Sequence, residues 1–219
     1  LNVGFVGSTA IVSNSIPVGV GLSLSSKILG KKQITIIYLG DASVEEGVFF
    51  ESLNFAIVKK IPVIFVCENN FYSVYSPLSV RQPVNREIYK MVKACHIKSF
   101  KANGNFVNEV IASFLKAKSF VEKKGVPVFL EFQTYRWFEH CGPNLDDHLK
   151  YRDKKELMYW KKNDPIDILQ NFLIKKRWMN INSIKNMKSL ITKKIDQAFQ
   201  YAKRSPFPKK EDLFKYLYK

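Results

Sequence analysis

ITIIYLGDASVEEGVFFESLNFAIVKKIPVIFVCENN, residues 34–70, joins two apolar runs by a segment of helix length. Ile34 to Leu39 is a β-branched run that fits a buried strand, and Pro62 to Cys67 is a second. The residues between them suffice for a crossover helix. A strand-helix-strand unit makes its strands parallel and its crossover right-handed. Asp41 and Asn70 then emerge at one carboxyl edge of one sheet, the edge where open α/β sheets bind ligands. The fold expected is α/β: a parallel sheet flanked by helices.

The chemistry at that edge suits a hard cation carrying phosphates. Asp41 offers a carboxylate and Asn70 an amide oxygen. Magnesium takes oxygen ligands and leaves positions for phosphate oxygens and water. Gly40, Ala42 and Ser43 are small, so the backbone can come close, and the Ala42 and Ser43 N–H groups could face a diphosphate where the crossover begins. Gly-Asp is also a common turn after a strand, and Asn-Asn a common loop. Neither half carries the reading alone; both, on neighbouring strand ends, do.

Those residues resemble the diphosphate-binding motif of thiamine-diphosphate enzymes, usually Gly-Asp-Gly with Asn-Asn further on. GDASVEEGVFFESLNFAIVKKIPVIFVCENNFYSVYSP, residues 40–77, is more specifically similar to the alpha subunit of the decarboxylating component of 2-oxo acid dehydrogenase complexes. So are GSTAIVSNSIPVGVGLSLS (7–25), VPVFLEFQTYRW (126–137), NDPIDILQNFL (163–173) and AKRSPFPKKEDLF (202–214), in the same order. The resemblance implies the thiamine-diphosphate-binding fold, in its diphosphate-binding half, with thiamine diphosphate and Mg2+ as cofactors. Asp41 and Asn70 match side-chain metal ligands, and Tyr72 the residue whose backbone carbonyl completes the protein's share. Ala42 and Ser43 match backbone donors to the diphosphate, and Val12 a residue whose backbone meets the aminopyrimidine ring. His140 matches a loop histidine near the phosphates and the reacting centre. Glu51 and Asn54 match positions near a subunit boundary.

The implied activity is oxidative decarboxylation of a 2-oxo acid with acyl transfer to a lipoyl group. The implied partners are a beta subunit supplying the pyrimidine-binding half-site, in an α2β2 heterotetramer, and a lipoyl-bearing acyltransferase. Two departures stand out. Ala42 replaces the usual glycine and would be strained at positive φ. Glu139-His140-Cys141-Gly142-Pro143 replaces a Gly-His-Ser loop. That second departure leaves open an acetoin-type or tailoring enzyme; a non-catalytic interaction subunit that keeps the fold is a separate alternative.

Composition allows a packed core. The chain has 219 residues, 46% hydrophobic and 14% aromatic, enough for one substantial domain and an appendage. Residues 1–150 read as the cofactor-binding domain, shortened at its start, and residues 151–219 as a basic helical extension. No apolar run has transmembrane length and no signal peptide is visible, which suggests a cytoplasmic protein. Cys67, Cys95 and Cys141 are few and scattered, as in a reducing compartment. Cys67 reads as core and Cys141 as a loop cysteine without catalytic work. The net charge is +16, and 18 of the 35 basic residues lie in 151–219 against 7 of the 19 acidic ones. Solvated helix faces explain this first, an acidic protein partner second and nucleic acid last, because no nucleic-acid motif accompanies the charge.

Outward from the central unit, residues 15–29 suggest a glycine-bearing helix packed on the sheet, with Pro17 in its first turn. Residues 72–78 read as a loop over the cofactor edge, 86–94 as a short helix and His96 to Lys101 as a strand. Phe106 to Lys124 reads as a helix stopped by Gly125, and Val126 to Thr134 as a strand. Asp146, Asp147 and His148 could suggest a second metal, but a hydrogen-bonded loop that orders with cofactor or partner is preferred. Asn163 or Asp164 can cap a helix starting at Pro165. Ile184, Met187, Ile191 and Ile195 form one stripe of a last helix, read as docking surface.

Overall fold

Both apolar runs of 34–70 become strands, and they pair in parallel as a crossover requires. The computed structural model describes residues 4–215. In chain order it holds α1 (Ser15–Ile28), β1 (Thr35–Gly40), α2 (Gly47–Val58), β2 (Val63–Asn69), β3 (Tyr72–Ser73), β4 (Ser76–Pro77) and α3 (Leu78–Arg81). There follow α4 (Ile88–Ala94), β5 (Lys98–Asn103), α5 (Val107–Lys124), β6 (Val128–Gln133), α6 (Lys154–Lys162), α7 (Pro165–Lys175) and α8 (Ile181–Arg204). Four strands form one sheet in the order β1-β2-β6-β5, every pair parallel. The α/β architecture is therefore the one the sequence indicates.

The sheet has helices on both faces, so β2 is apolar nearly throughout. Val63, Phe65 and Cys67 join Ile37, Leu39 and Phe129 in a core with Ile16 and Val20 of α1, Phe49 and Leu53 of α2, and Ile88 and Val92 of α4. Ile64 and Val66 join Val128, Leu130 and Phe132 in a second core with Ala117 and Val121 of α5. The α5-side face of β1 is open: Tyr38, in register with Val66, is 60% exposed. Gly125 ends α5 in the left-handed conformation at φ 64°.

Gly19 lets α1 lie against β1. A Cβ there would stand 2.5 Å from Ile37 Cγ1, closer than real carbons approach. Gly19→Ala is expected to cost about 1–3 kcal/mol, the usual range for overpacking a core. Calorimetric melting of the two proteins checks this; an unchanged melting temperature would mean the helix stands off the sheet.

One segment differs from its sequence reading. Residues 72–78 are not an open loop: β3 and β4 make a short antiparallel hairpin that leads into the single turn of α3. The Leu78 N–H donates to the Phe71 carbonyl at 2.8 Å and closes it. Phe71, just before the hairpin, is at φ 69° and Val74, in its turn, is at φ 53°, conformations that bulky and β-branched residues rarely adopt. That strain is why pattern and propensity read the segment as irregular.

The chain divides into two compact units after Ile168 rather than after Lys150. Residues 151–168 stay with the first unit because their aromatic rings pack into it. Trp160 stacks on Tyr135 at 5.5 Å between ring centres, and Tyr151 meets Tyr72 edge-on. In the second unit, Asn180 caps α8 by accepting the Ser183 N–H at 2.8 Å. Met187, Ile191 and Ile195 of α8 are exposed, and the helix ends at Arg204, with Ser205 as its cap just before Pro206. Among the described residues no helix is long and apolar enough to cross a membrane.

Candidate functional site

Gly40 of β1 pairs with Glu68 of β2, so Asp41 and Asn70 leave neighbouring strands at the same edge. Asn69 pairs with Gln133 of β6, and the Thr134 N–H donates to the Asn69 carbonyl at 2.9 Å. The long loop after β6, with Tyr135, Arg136 and His140, therefore starts at that edge too. All the candidate residues of the first unit are served by these three strand ends and the start of α1.

Asp41 opens a 3-10 turn, Asp41–Glu45, that precedes α2. The residue is 1% exposed. Its carboxylate is ion-paired with Arg81 of α3. The same guanidinium reaches Glu45 at 2.5 Å, and Gln82 Nε2 donates to Glu45 Oε1 at 2.9 Å. Ala42 is not in the left-handed region, so the methyl that replaces the usual glycine meets no backbone strain. Ser13 Oγ donates to the Ser43 carbonyl at 2.9 Å, which brings the exposed Val12 beside this turn.

Asn70 Oδ1 accepts the Tyr72 N–H at 3.1 Å, and Asn69 Oδ1 accepts the Phe71 N–H at 3.1 Å. Two such Asx turns in succession fix how the chain leaves β2. An amide oxygen has two lone pairs, so Asn70 keeps one acceptor site. The edge thus carries a buried carboxylate after β1 and an amide oxygen after β2, both of them donor types that a hard divalent ion takes.

Tyr72 donates its hydroxyl to Glu156 of α6. Burial first, then the Glu156 carboxylate, push that hydroxyl well above the ordinary value of 10, so it stays a proton donor. Burial, with the Glu156 charge beside it, pushes Tyr135 up to about 12. His140 is exposed on the loop after β6. The partners of Asp41, Asn70 and Tyr72 are Arg81, a backbone N–H and Glu156, so no hydrogen bond draws His140 to them. Beside it, Asn144 Nδ2 donates to Glu139 Oε1 at 2.7 Å.

Asp146, Asp147 and His148 do not converge as a ligand cluster: among the described residues no three His, Cys, Asp or Glu side chains gather in a way that could hold an ion. Asp146 is instead a buried anion clasped by Arg152, Tyr151 and, at 3.6 Å, Arg136. Burial alone would raise its carboxyl; the Tyr151 hydroxyl and the two guanidiniums outweigh that and hold it below 3.8. Arg136 Nη2 also donates to the Val74 carbonyl at 2.8 Å, tying this loop to the strained hairpin. Cys67 lies in the core, and burial raises its thiol well above the ordinary value. Cys141 is exposed.

Sequence reasoning missed Arg81, Glu45 and Glu131. Glu131 is 2% exposed in β6; its two oxygens accept Asn69 Nδ2 at 2.8 Å and the Tyr89 N–H at 2.9 Å. A charged residue inside VFLEFQ was the available signal, because such side chains are seldom fully buried without partners.

The family description "Dehydrogenase E1 component" matches residues 1–211. The pyruvate dehydrogenase E1 component subunit alpha of Rickettsia bellii is 29% identical over 214 residues, covering 98% of this chain and 64% of that protein. The testis-specific mitochondrial form of the same subunit from Rattus norvegicus is 30% identical over 215 residues, covering 98% and 54%. A solved structure from Mycobacterium smegmatis, described as thiamin diphosphate-dependent, aligns with a TM-score of 0.45 at 18% identity, over 55% of this chain and 22% of that one. The chain thus spans less than two thirds of the length of the curated relatives it matches.

Proposed function

Since the chain belongs to the dehydrogenase E1 component family, we propose that it is the diphosphate- and metal-binding alpha subunit of a thiamine-diphosphate-dependent 2-oxo acid dehydrogenase. Its reaction is oxidative decarboxylation of a 2-oxo acid, with the acyl unit passed to a lipoyl group. Mg2+ is held by Asp41, Asn70 and the Tyr72 carbonyl. The Ala42 and Ser43 N–H groups, on the turn that starts at Gly40, face the diphosphate, and Val12 meets the aminopyrimidine through its backbone. The observation that supports this reading is that a buried carboxylate and an amide oxygen follow the ends of two adjacent parallel strands.

Bound thiamine diphosphate supplies the electron-accepting ring that decarboxylation needs; the protein supplies orientation and charge. Asp41, sealed from water, meets a cation in a low dielectric, where attraction is strongest. The paired Asx turns hold Asn70 and Tyr72 in fixed positions before anything binds. His140, exposed on its loop, is the catalytic candidate that stabilises charge and positions the acyl acceptor. A beta subunit, in an α2β2 assembly in the cytoplasm, supplies the pyrimidine-binding half-site.

Calorimetric titration of Mg2+ and thiamine diphosphate into the full-length protein assembled with its partner subunit tests the proposal. Binding requires both components. Asp41→Ala weakens it on the order of a hundredfold, the scale on which metal-site substitutions act. Glu45 keeps Arg81 paired in that variant, so the fold survives. Unchanged affinity would remove Asp41 from the metal shell. The Glu139-His140-Cys141-Gly142-Pro143 loop favours one second reading, a related enzyme with a non-lipoyl acceptor; acyl transfer to lipoamide separates the two.

A further inference from the structure

We propose that Arg81 is a resident counter-cation of the cofactor site, and that a divalent ion can load at Asp41 only by displacing it, with the diphosphate as the group that takes the displaced charge. The proposal rests on the metal role of Asp41 given above and adds a condition on how that site fills.

Burying a charged side chain is costly unless a group of opposite charge pairs with it, and Asp41 is 1% exposed. Arg81 supplies that partner. One guanidinium nitrogen meets Asp41 and the other meets Glu45 at 2.5 Å, while Nε donates to the Ser76 carbonyl at 3.2 Å. The Arg81 side chain is itself 11% exposed, so the pair is sealed on both sides. It is not a loose surface pair of negligible worth.

Arg81 also stands on the segment that carries the other proposed ligands. Asn70 and Tyr72 lead into the β3–β4 hairpin, and α3, ending at Arg81, closes it. Phe71 and Val74, both left-handed, strain that hairpin, and strained segments cluster where a structure must switch. The Asp41 pair therefore ties a strained strap to the edge of the sheet.

A divalent ion on the same carboxylate would lie beside the guanidinium, and the two cations repel. Metal alone must then break a sealed ion pair and leave Arg81 with Glu45 only. Metal arriving with a diphosphate faces no such loss, because a guanidinium fork matches phosphate oxygens. Arg81 thus opposes the bare ion and favours the ion–diphosphate pair. An empty site stays folded and closed to stray cations.

The test is a titration of Mn2+ alone, then of thiamine diphosphate at saturating Mn2+, into the full-length assembled protein and its Arg81→Gln variant. The expected variant binds Mn2+ alone about tenfold more tightly and thiamine diphosphate about tenfold more weakly, within the usual range for coupling between sites. Metal affinity unchanged or lowered in Arg81→Gln overturns the proposal. Thermal melting of the unmodified protein is a second measurement that needs no variant. Mn2+ alone should shift the transition little and Mn2+ with thiamine diphosphate strongly; equal shifts overturn the exchange. If the unmodified protein responds to neither combination, the metal role of Asp41 and this proposal fall together. A response to the pair with no change in Arg81→Gln removes only the exchange.

Discussion

Asp146→Asn lowers the unfolding free energy by about 3–5 kcal/mol, the cost of removing one partner from a buried ion pair. Asp146 is 1% exposed, and the Arg152 side chain facing it is 3% exposed. A carboxamide carries no charge, so Arg152 would be left buried beside a neutral group. Arg152 has little freedom to leave, because it also donates to the carbonyls of Arg136 and Trp137, while its Nε has no partner. Asp147, at 3.3 Å and partly exposed, replaces only a fraction of the lost attraction. The effect carries a pH signature. The folded carboxyl lies below 3.8, so its stabilisation is fully present above that value and is lost as pH falls through the folded one. Urea unfolding at pH 7 should separate the two proteins widely, and at pH 3 or lower the gap should narrow. A gap under about 1 kcal/mol at neutral pH would mark the clasp as a solvent-screened surface pair.

The parts of this molecule legible in its sequence are those written in local pattern. The crossover between 34–39 and 62–67 implied parallel strands, and alternation of partners along β2 gave it an apolar run that could only be buried on both faces. Gly125 and Pro165 punctuated helices where glycine and proline usually do. Gly19 sat where a helix must approach a strand. What escaped was written in distance. Arg81 meets Asp41 across 40 positions of chain, and Glu131 meets Asn69 across 62. No periodicity encodes such pairs; they exist only once the sheet has brought the strand ends together. The hairpin escaped for another reason. Its strands are two residues each, too short to alternate, and its turn places Val74 at a φ that valine disfavours. Residues 151–168 escaped because charge spoke louder than rings: the basic run looked like an extension, while the half-buried Trp160 stacks on Tyr135 of the first unit.

Glu131→Ala is expected to cost about 3–5 kcal/mol, at the upper end of single substitutions, and the reason is that Glu131 is an acceptor for two donors at once, one buried and one partly buried. Oε1 takes Asn69 Nδ2 and Oε2 takes the Tyr89 N–H. Alanine leaves both unpaired, at about 1–3 kcal/mol each, and adds a cavity beneath α4. Glu131→Gln separates these contributions. Its oxygen can still accept from one donor, but its NH2 must face the other, so it should cost roughly half as much as alanine. The ordering in urea unfolding is therefore unmodified protein, then Gln, then Ala. The consequence reaches the candidate metal site through Asn69. Its Oδ1 holds the Phe71 N–H, and that bond keeps Phe71 left-handed and Asn70 and Tyr72 in register. A freed Asn69 amide loosens this turn. Affinity for Mn2+ with thiamine diphosphate should then fall in both variants, more in Ala than in Gln, although Glu131 itself touches neither ligand. If Gln matches the unmodified protein in stability and Ala costs less than about 1 kcal/mol, Glu131 is not the post that holds the turn.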